Sequence, residues 1–212
     1  MSQKRRGGSR PKAAFLEGPK WSALCRDAAT MTLLALAITA TSQVSTNRPA
    51  NWAQPLTTPG LRNFYQVTAN LYRGAQPTPE GMRTLKARGI RTVINLRAYH
   101  SDKDEVAGTG LKSVRFEAKP WHPEEEDVVG FLKAATDTNN VPVFVHCQRG
   151  ADRTGMMCAM YRIVVCGWTK AEAIDEMKNG GFDFNPAWHD LVRFIERADV
   201  ADLKRRAGLN GK

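Results

Sequence analysis

The sequence predicts an α/β fold with a central, mostly parallel sheet of about four to five strands, flanked by helices in three layers. Two observations support this prediction. Short runs of β-forming residues alternate with helix-length segments over residues 60–200, and the helix-length segments carry start and stop signals at their ends. Because strands that alternate with helices pair in parallel, helices should cover both faces of the sheet.

The first half of the domain contains two strand signals around one helix. Asn70–Arg73 is a short strand, and Thr78 then offers an N-cap hydroxyl before a proline at the first helical position. That helix runs to Arg88 and stops at Gly89, and the β-rich run RTVINLR at 91–97 forms the next strand. Strand and helix therefore alternate from the start of the domain.

The second half continues the alternation. Val114–Ala118 is a strand, and four consecutive acidic residues then begin a helix to Thr138, where negative charge suits the positive end of the helix dipole. Val143–His146 is an apolar strand. Three further helices are predicted, at 153–166, 169–180 and 186–200. The first is apolar on nearly all sides and should therefore be central. The second opens with the capping box TKAE.

The positive charge of the chain is concentrated near its amino terminus. The formal net charge is +10, and residues 1–50 contain eight Lys or Arg against two acidic residues, which leaves +4 for the other 162 residues. This distribution argues against nucleic acid as a partner of the folded part. The His and Cys residues lack the spacing of a metal site, so we expect no metal and no cofactor.

The sequence divides into three parts. Residues 1–46 form a basic tail with an apolar segment, Ala28–Val44, whose composition suits a signal peptide or a marginal membrane anchor. We therefore expect an exported or membrane-anchored protein, associated with the membrane through this segment; the alternative is a core-packing helix in a cytoplasmic protein. Residues 47–60 are a proline-rich linker, and residues 61–205 form the catalytic domain.

The stretch VFVHCQRGADRTG, residues 143–155, joins a strand to a helix and carries the chemistry. In a parallel sheet, ligands bind beyond the carboxyl ends of the strands, at the start of the following helix. A tight loop there can turn successive backbone N–H groups toward a common centre and bind a tetrahedral dianion. Arg153 can add two hydrogen bonds from its planar guanidinium group to two phosphate oxygens. The predicted phosphate-binding residues are Gln148, Arg149, Gly150, Ala151, Asp152 and Arg153.

Cys147 should lie at the base of this loop. The N–H dipoles, the helix start and Arg153 all favour negative charge, so Cys147 should be a thiolate and a nucleophile toward a bound phosphorus atom. The alternative is a buried structural thiol, which predicts that Cys147 is alkylated no faster than Cys158 at neutral pH.

The run HCQRGADRTG, residues 146–155, resembles the H-C-x5-R-[ST] signature loop of the cysteine-dependent protein tyrosine and dual-specificity phosphatases. The run NLYRGAQP, residues 70–77, is similar to a Y-R-S-x-Q-P motif of the compact atypical dual-specificity branch, and Asp152-Arg153 resembles the Asp-Arg pair of myotubularin-like lipid phosphatases. The resemblance covers residues 60–200. It implies a dual-specificity-phosphatase-like fold and a phosphoric monoester hydrolase that needs no cofactor.

The resemblance also implies roles for four residues of the loop. Cys147 would attack phosphorus and form a phosphocysteine intermediate, while Arg153 would bind the substrate and stabilise the transition state. Thr154 would assist the departure of the thiolate in the second step. His146 would support the loop by hydrogen bonds behind it.

The general acid stays open at this stage. Relatives place an Asp on a mobile loop with the order Trp-Pro-Asp, and the loop KPWHPEEED at 119–127 lacks that order. Asp152 is the first candidate because of the Asp-Arg resemblance, although it could instead only orient Arg153. The alternatives are Glu124, Glu126 and Asp127, which could equally be helix-start charges.

These inferences predict a cysteine-dependent phosphatase for phosphate monoesters of the phosphotyrosine or dual-specificity type. The expected partner is a phosphorylated protein or a small phosphomonoester, and we expect a monomer. Only Arg149 is basic among the variable loop positions, which disfavours a phosphoinositide or inositol-phosphate phosphatase but leaves it as an alternative. A catalytically weak, phosphate-binding pseudophosphatase is the other alternative, although Cys147 and Arg153 are both present.

Overall fold

A six-stranded sheet forms the centre of the domain. The computed structural model describes residues 48–210, so the apolar segment Ala28–Val44 lies outside the described residues. The strands are β1 (Gln54–Pro55), β2 (Tyr65–Thr68), β3 (Leu71–Gly74), β4 (Thr92–Asn95), β5 (Lys112–Arg115) and β6 (Val143–His146), in the order β1-β2-β3-β6-β4-β5. The four strands β3, β6, β4 and β5 are parallel, which confirms the predicted mostly parallel sheet.

Helices cover both faces of this sheet. The helices are α1 (Pro79–Ala87), α2 (Lys103–Val106), α3 (Glu125–Thr136), α4 (Asp152–Val164), α5 (Lys170–Asn179), α6 (His189–Arg197) and α7 (Val200–Ala207). On one face, Met82 and Leu85 of α1 pack with Val93 and Phe144. On the other face, α3 to α7 form the larger core with side chains such as Val145. The predicted three-layer α/β architecture is therefore confirmed.

Local sequence signals set several helix boundaries. The Thr78 hydroxyl accepts a hydrogen bond from the Gly81 N–H at the start of α1, as predicted. The predicted capping box at the start of α5 forms in both directions between Thr169 and Glu172. Helix α4 is the central buried helix that its sequence predicted, because its residues from Thr154 to Val164 are buried without interruption.

The strand count and the last helix differ from the prediction. The sheet has six strands rather than about four to five, because β1 and β2 add an antiparallel edge that pairs with β3. Strand β1 has only two residues, too few for a period-two signal, whereas β2 is as long as β3 and was missed. The predicted helix 186–200 is the shorter α6, His189–Arg197, and the prediction missed α7, which starts after the Asp199 carboxylate accepts a hydrogen bond from the Asp202 N–H.

The segment before β2 is fixed to the helical face. The Ala53 N–H donates to Glu176 Oε1 at 2.6 Å, and Glu176 forms a buried ion pair with Arg162 at 2.9 Å. Arg48 Nη1 donates to the Gly180 carbonyl at 2.7 Å. Among the helices in residues 48–210, none combines the length and the apolar character needed to cross a membrane.

Candidate active site

The loop between β6 and α4 lies at the carboxyl end of the sheet, where the sequence predicted the site. Strand β6 is flanked by β3 and β4, and the Leu96 N–H, just after β4, donates to the His146 carbonyl at 2.9 Å. Cys147 follows directly and is only 2% exposed. The neighbouring strands thus hold the residue before the cysteine in a fixed position.

The backbone N–H groups of the loop are free to bind an anion. Among the hydrogen bonds of residues 48–210, none uses the N–H of Gln148, Arg149, Gly150 or Ala151 as a donor. Helix α4 then begins at Asp152, and its N-cap residue provides no side-chain hydrogen bond. Free N–H groups of a loop followed by those of a helix start are the arrangement that binds phosphate.

Gly150 allows the loop to pass close to β3. Its φ is +73°, and a Cβ atom at this position would lie 2.3 Å from the carbonyl carbon of Gly74. Only glycine combines this left-handed conformation with so close an approach of two backbones.

Arg73 holds the loop from behind. This arginine is 1% exposed, donates from Nη2 to the Gly150 carbonyl at 2.7 Å and to the Ala151 carbonyl at 3.4 Å, and lies 3.7 Å above the Phe182 ring. In a trans peptide unit the C=O and N–H point in opposite directions. Holding these carbonyls at the back therefore turns the N–H groups of Ala151 and Asp152 to the other side.

Arg153 and Thr154 occupy the first turn of α4. Arg153 is half-buried, and its Nη1 donates to the carbonyls of Leu96 at 3.3 Å and Ala118 at 3.4 Å. The guanidinium group is thus anchored between the end of β4 and the loop after β5. Thr154 Oγ1 is buried and has no hydrogen-bond partner among the described residues. It is available to donate a hydrogen bond to a nearby sulfur.

His146 is fully buried and contacts two oxygen atoms. Its Nδ1 lies 3.2 Å from the Cys147 carbonyl oxygen, and its Nε2 lies 2.7 Å from Asp102 Oδ2. These contacts agree with a supporting role behind the loop.

The four candidate acids have different environments. The Asp152 carboxylate accepts a hydrogen bond from the Asn185 N–H at 2.8 Å. Burial, reinforced by the negative charges of Glu124 and Glu126, raises the pKa of Asp127. Glu126 pairs with Arg206 of α7 at 2.9 Å, and Glu124 lies 3.8 Å from His122 Nε2.

The predicted acids lie at the start of α3, and the loop that precedes them makes a tight turn. The His122 N–H donates to the Lys119 carbonyl at 3.2 Å, and Trp121 at the tip is 56% exposed. Trp121 lines a cleft of about 330 Å³ together with Arg193 and Phe194 of α6. The aromatic ring is therefore accessible at the surface rather than packed into the core.

Comparison with known proteins identifies the family. Residues 50–189 match the family described as PTP-NADK, "DSP-PTPase phosphatase fused to NAD+ Kinase". The chain belongs to this dual-specificity phosphatase family.

Relatives of this phosphatase include enzymes named for two different activities. The dual specificity protein phosphatase TpbA of Pseudomonas aeruginosa is 36% identical over 179 residues, which cover 82% of this chain and 78% of TpbA. A crystal structure of a TpbA cysteine-to-serine variant with phosphotyrosine has 28% identity and a TM-score of 0.66, covering 76% of this chain and 97% of that one. The inositol diphosphatase DSP3 of Arabidopsis thaliana is 29% identical over 155 residues, 68% of this chain and 73% of DSP3.

The family assignment confirms the predicted atypical dual-specificity superfamily and its activity class. The phosphatase is a phosphoric monoester hydrolase of the cysteine-dependent kind, and its fold is that of its structural neighbours. The structure brings His146, Cys147 and the residues of the phosphate loop together at one end of the sheet. The carboxylate of Glu126, in contrast, is engaged by α7.

Two buried residues behind the phosphatase loop were not singled out by the sequence. Arg73 stands within the quoted run NLYRGAQP, where a charged residue in a strand between apolar neighbours was an available signal. Asp102 follows β4 in a polar segment that offers no such signal. Only the folded chain shows that it contacts His146.

Proposed function

We propose that Cys147 is the nucleophile of this phosphatase. We propose further that the preferred substrates of the enzyme are phosphotyrosine in proteins or small aryl phosphates. The observation that carries the proposal is the loop of free N–H groups with Cys147 at its base and Arg73 behind it. TpbA, which is 36% identical over 179 residues, is named a dual specificity protein phosphatase, and the structure of its variant with phosphotyrosine supports the same substrate class here.

The reaction proceeds in two displacements. Cys147 Sγ forms a bond to phosphorus while the bond from phosphorus to the ester oxygen breaks, and a carboxyl group gives its proton to the departing oxygen. The loop N–H groups and the Arg153 guanidinium hold the three other phosphate oxygens and stabilise the charge of the transition state. The departing alcohol or phenol leaves as a neutral molecule.

A water molecule then hydrolyses the phosphocysteine. The carboxylate that lost its proton takes one from the water, the water oxygen bonds to phosphorus, and the bond between sulfur and phosphorus breaks. The sulfur leaves as a thiolate, and the buried Thr154 hydroxyl donates a hydrogen bond to it. Inorganic phosphate is the second product, and the enzyme returns to its starting state.

Substitution of Cys147 tests this proposal. Cys147→Ser should abolish hydrolysis of p-nitrophenyl phosphate and of a phosphotyrosine peptide, because the serine hydroxyl is a far weaker nucleophile. Cys158→Ser is the matched control, because burial raises the pKa of Cys158 to about 11 and this thiol cannot serve as a nucleophile at neutral pH.

The same pair of cysteines provides a chemical test. Iodoacetamide at neutral pH should modify Cys147 well before Cys158, which peptide mass spectrometry would show. Equal modification of both thiols, or hydrolysis that survives Cys147→Ser, would contradict the proposed nucleophile.

Inositol diphosphates are the second candidate substrates. The inositol diphosphatases DSP3 and DSP5 of Arabidopsis thaliana are 29% and 31% identical to the chain over about two thirds of its length (68% each). When Cys147 attacks the outer phosphorus of a diphosphate, the leaving group is the inner phosphate, which stays on the inositol. A phosphate is a better leaving group than an alcohol, so this reaction depends less on a general acid. Comparing kcat/KM for a phosphotyrosine peptide and an inositol diphosphate decides between the two substrate classes.

The apolar segment Ala28–Val44 supports a proposal about localisation. We keep the hypothesis that it directs export or anchors the phosphatase in a membrane, because it is free of charged residues and follows a basic region. Cell fractionation together with amino-terminal sequencing of the mature protein tests this hypothesis. Light scattering of the purified protein tests the expected monomer.

A further inference from the structure

Asp102 is a buried carboxylate behind the catalytic loop, and no step of the proposed reaction uses it. Asp102 is 1% exposed, and its Oδ1 accepts a hydrogen bond from Gln76 Nε2 at 2.9 Å, while Oδ2 faces His146 Nε2 at 2.7 Å. Burial by itself would raise the pKa of Asp102, but hydrogen bonds from His146 and Gln76 outweigh burial and hold the pKa below its usual value. The group is therefore an anion at neutral pH.

His146 lies between this anion and the nucleophile. Its ring is fully buried, and both ring nitrogens face oxygen atoms that can only accept hydrogen bonds, the Asp102 carboxylate and the Cys147 carbonyl. Both contacts are hydrogen bonds only when the ring carries two protons.

We propose that Asp102 is a positioning residue that acts through His146. Asp102 keeps a proton on both ring nitrogens, so that Nδ1–H holds the Cys147 carbonyl and a positive ring stands directly behind the nucleophile. The ring thereby fixes the base of the loop and stabilises the Cys147 thiolate. This role rests on the proposed function of Cys147 as the nucleophile.

The neighbouring charged groups lie around Asp102 rather than around His146. His100 Nε2 is 3.5 Å from Asp102 Oδ1 and 3.0 Å from Glu105 Oε1. Arg97 donates to Gln76 Oε1 at 3.1 Å. Within residues 48–210, Asp102 is the only carboxylate paired with His146, whose other close neighbour is the stacked Phe144 ring. Glu105 therefore offers a matched acidic control.

The test compares Asp102→Asn with Glu105→Gln in the full chain. Asp102→Asn should move the pH midpoint of Cys147 alkylation by iodoacetamide upward by about one unit. It should lower kcat for p-nitrophenyl phosphate at pH 6 about tenfold, with KM changed less than twofold, because thiolate supply rather than substrate binding is affected. Glu105→Gln should leave the alkylation profile, kcat and KM unchanged.

A double variant tests whether Asp102 acts through His146. His146→Asn alone should produce the same losses as Asp102→Asn, and the double variant should lose no more than either single variant, because the two residues act in series. Losses that add in the double variant would overturn the proposal. A wild-type alkylation profile in Asp102→Asn would also overturn it, even with a lowered melting temperature.

A milder substitution tests the proposal if Asp102→Asn does not fold. Gln76→Leu removes one hydrogen bond from the same carboxylate and should shift the alkylation midpoint upward by a smaller amount, whereas no shift would overturn the proposal. Failure of the proposed function has a different signature, because Cys147→Ser would then retain hydrolysis.

Discussion

At the scale of single residues, the candidate acids differ in the surroundings of their carboxyl groups. Asp152 was the first candidate from its place beside Arg153, but the Asn185 N–H donates to its carboxylate at 2.8 Å, so this carboxylate is already engaged within the protein. Burial and the charges of Glu124 and Glu126 raise the pKa of Asp127, which suits an acid that must hold a proton at neutral pH. These environments support Asp127 over Asp152 as the proton donor.

Asp127→Asn should lower kcat for phenyl phosphate on the order of 100-fold, because a poor leaving group needs the proton. A raised pKa keeps Asp127 protonated to higher pH, so kcat of the wild type should fall only on the alkaline side of that pKa, and Asp127→Asn should lose this alkaline limb. The measurement is a pH–rate profile with phenyl phosphate and with p-nitrophenyl phosphate, whose better leaving group should show a smaller loss.

Glu126→Gln is the control for this experiment, since Arg206 already engages the Glu126 carboxylate. It should keep the rate on the acid side and should still show an alkaline limb, moved to lower pH because the Glu126 charge helps to raise the pKa of Asp127. An alkaline limb that persists in Asp127→Asn but disappears in Asp152→Asn would instead assign the proton to Asp152.

At the scale of elements, the turn from β6 into α4 depends on how closely it approaches β3. Gly150 has φ +73°, and an added Cβ would lie 2.3 Å from the Gly74 carbonyl carbon, so the two backbones would have to separate. Gly167 has φ +76° but has no atom within 4 Å of an added Cβ. The two glycines therefore separate the effect of a left-handed backbone from the effect of the close contact.

Gly150→Ala should lower kcat/KM on the order of 100-fold, because displacing the loop by even about 1 Å misplaces the phosphate. Gly167→Ala should cost only about 1 kcal/mol of stability, through its left-handed backbone, and leave kcat/KM unchanged. Steady-state kinetics and thermal unfolding of both variants provide the comparison. Equal activity losses in the two variants would show that backbone strain, not the contact with β3, accounts for the effect.

At the scale of the whole molecule, the segment from Arg48 to Pro55 connects the helical face to the site. The Ala53 N–H donates a hydrogen bond to Glu176, which forms the buried ion pair with Arg162. The Arg48 guanidinium lies 5.4 Å from the centre of the Phe182 ring. The same ring lies 3.7 Å from the Arg73 guanidinium. The contacts that fix the amino-terminal segment thus reach, through the Phe182 ring, the arginine that holds the phosphate loop.

Glu176→Gln should lower the free energy of unfolding by about 3 kcal/mol, because it leaves the buried Arg162 charge without its partner. For a domain of this size that corresponds to a fall in melting temperature of roughly 6–12 °C. Asp190→Asn is the matched control, since it removes an exposed pair with Arg193 and should change stability by less than about 0.5 kcal/mol. Calorimetry gives both values, and similar effects in the two variants would contradict the buried pair as an anchor.

Contiguous stretches of sequence determined the local features of this protein. Strand β6, the loop that follows it and the start of α4 are specified by adjacent residues, and so are the helix caps at Thr78 and Thr169. For that reason the parallel α/β fold, the place of Cys147 and the phosphatase class could all be predicted. Hydrogen bonds between residues three apart set the helix caps, the alternation of strand and helix signals indicated the fold, and the motif at 146–155 indicated the phosphatase class.

Tertiary structure decided the features that depend on distant residues. The contact of Asp102 with His146 spans 44 positions and that of Arg73 with Gly150 spans 77, and both exist because the sheet places β3 and β4 on either side of β6. The same is true of the β1–β2 edge, which is defined by its antiparallel pairing with β3. The raised pKa of Asp127 also arises from burial, which belongs to the packed domain and not to the residue.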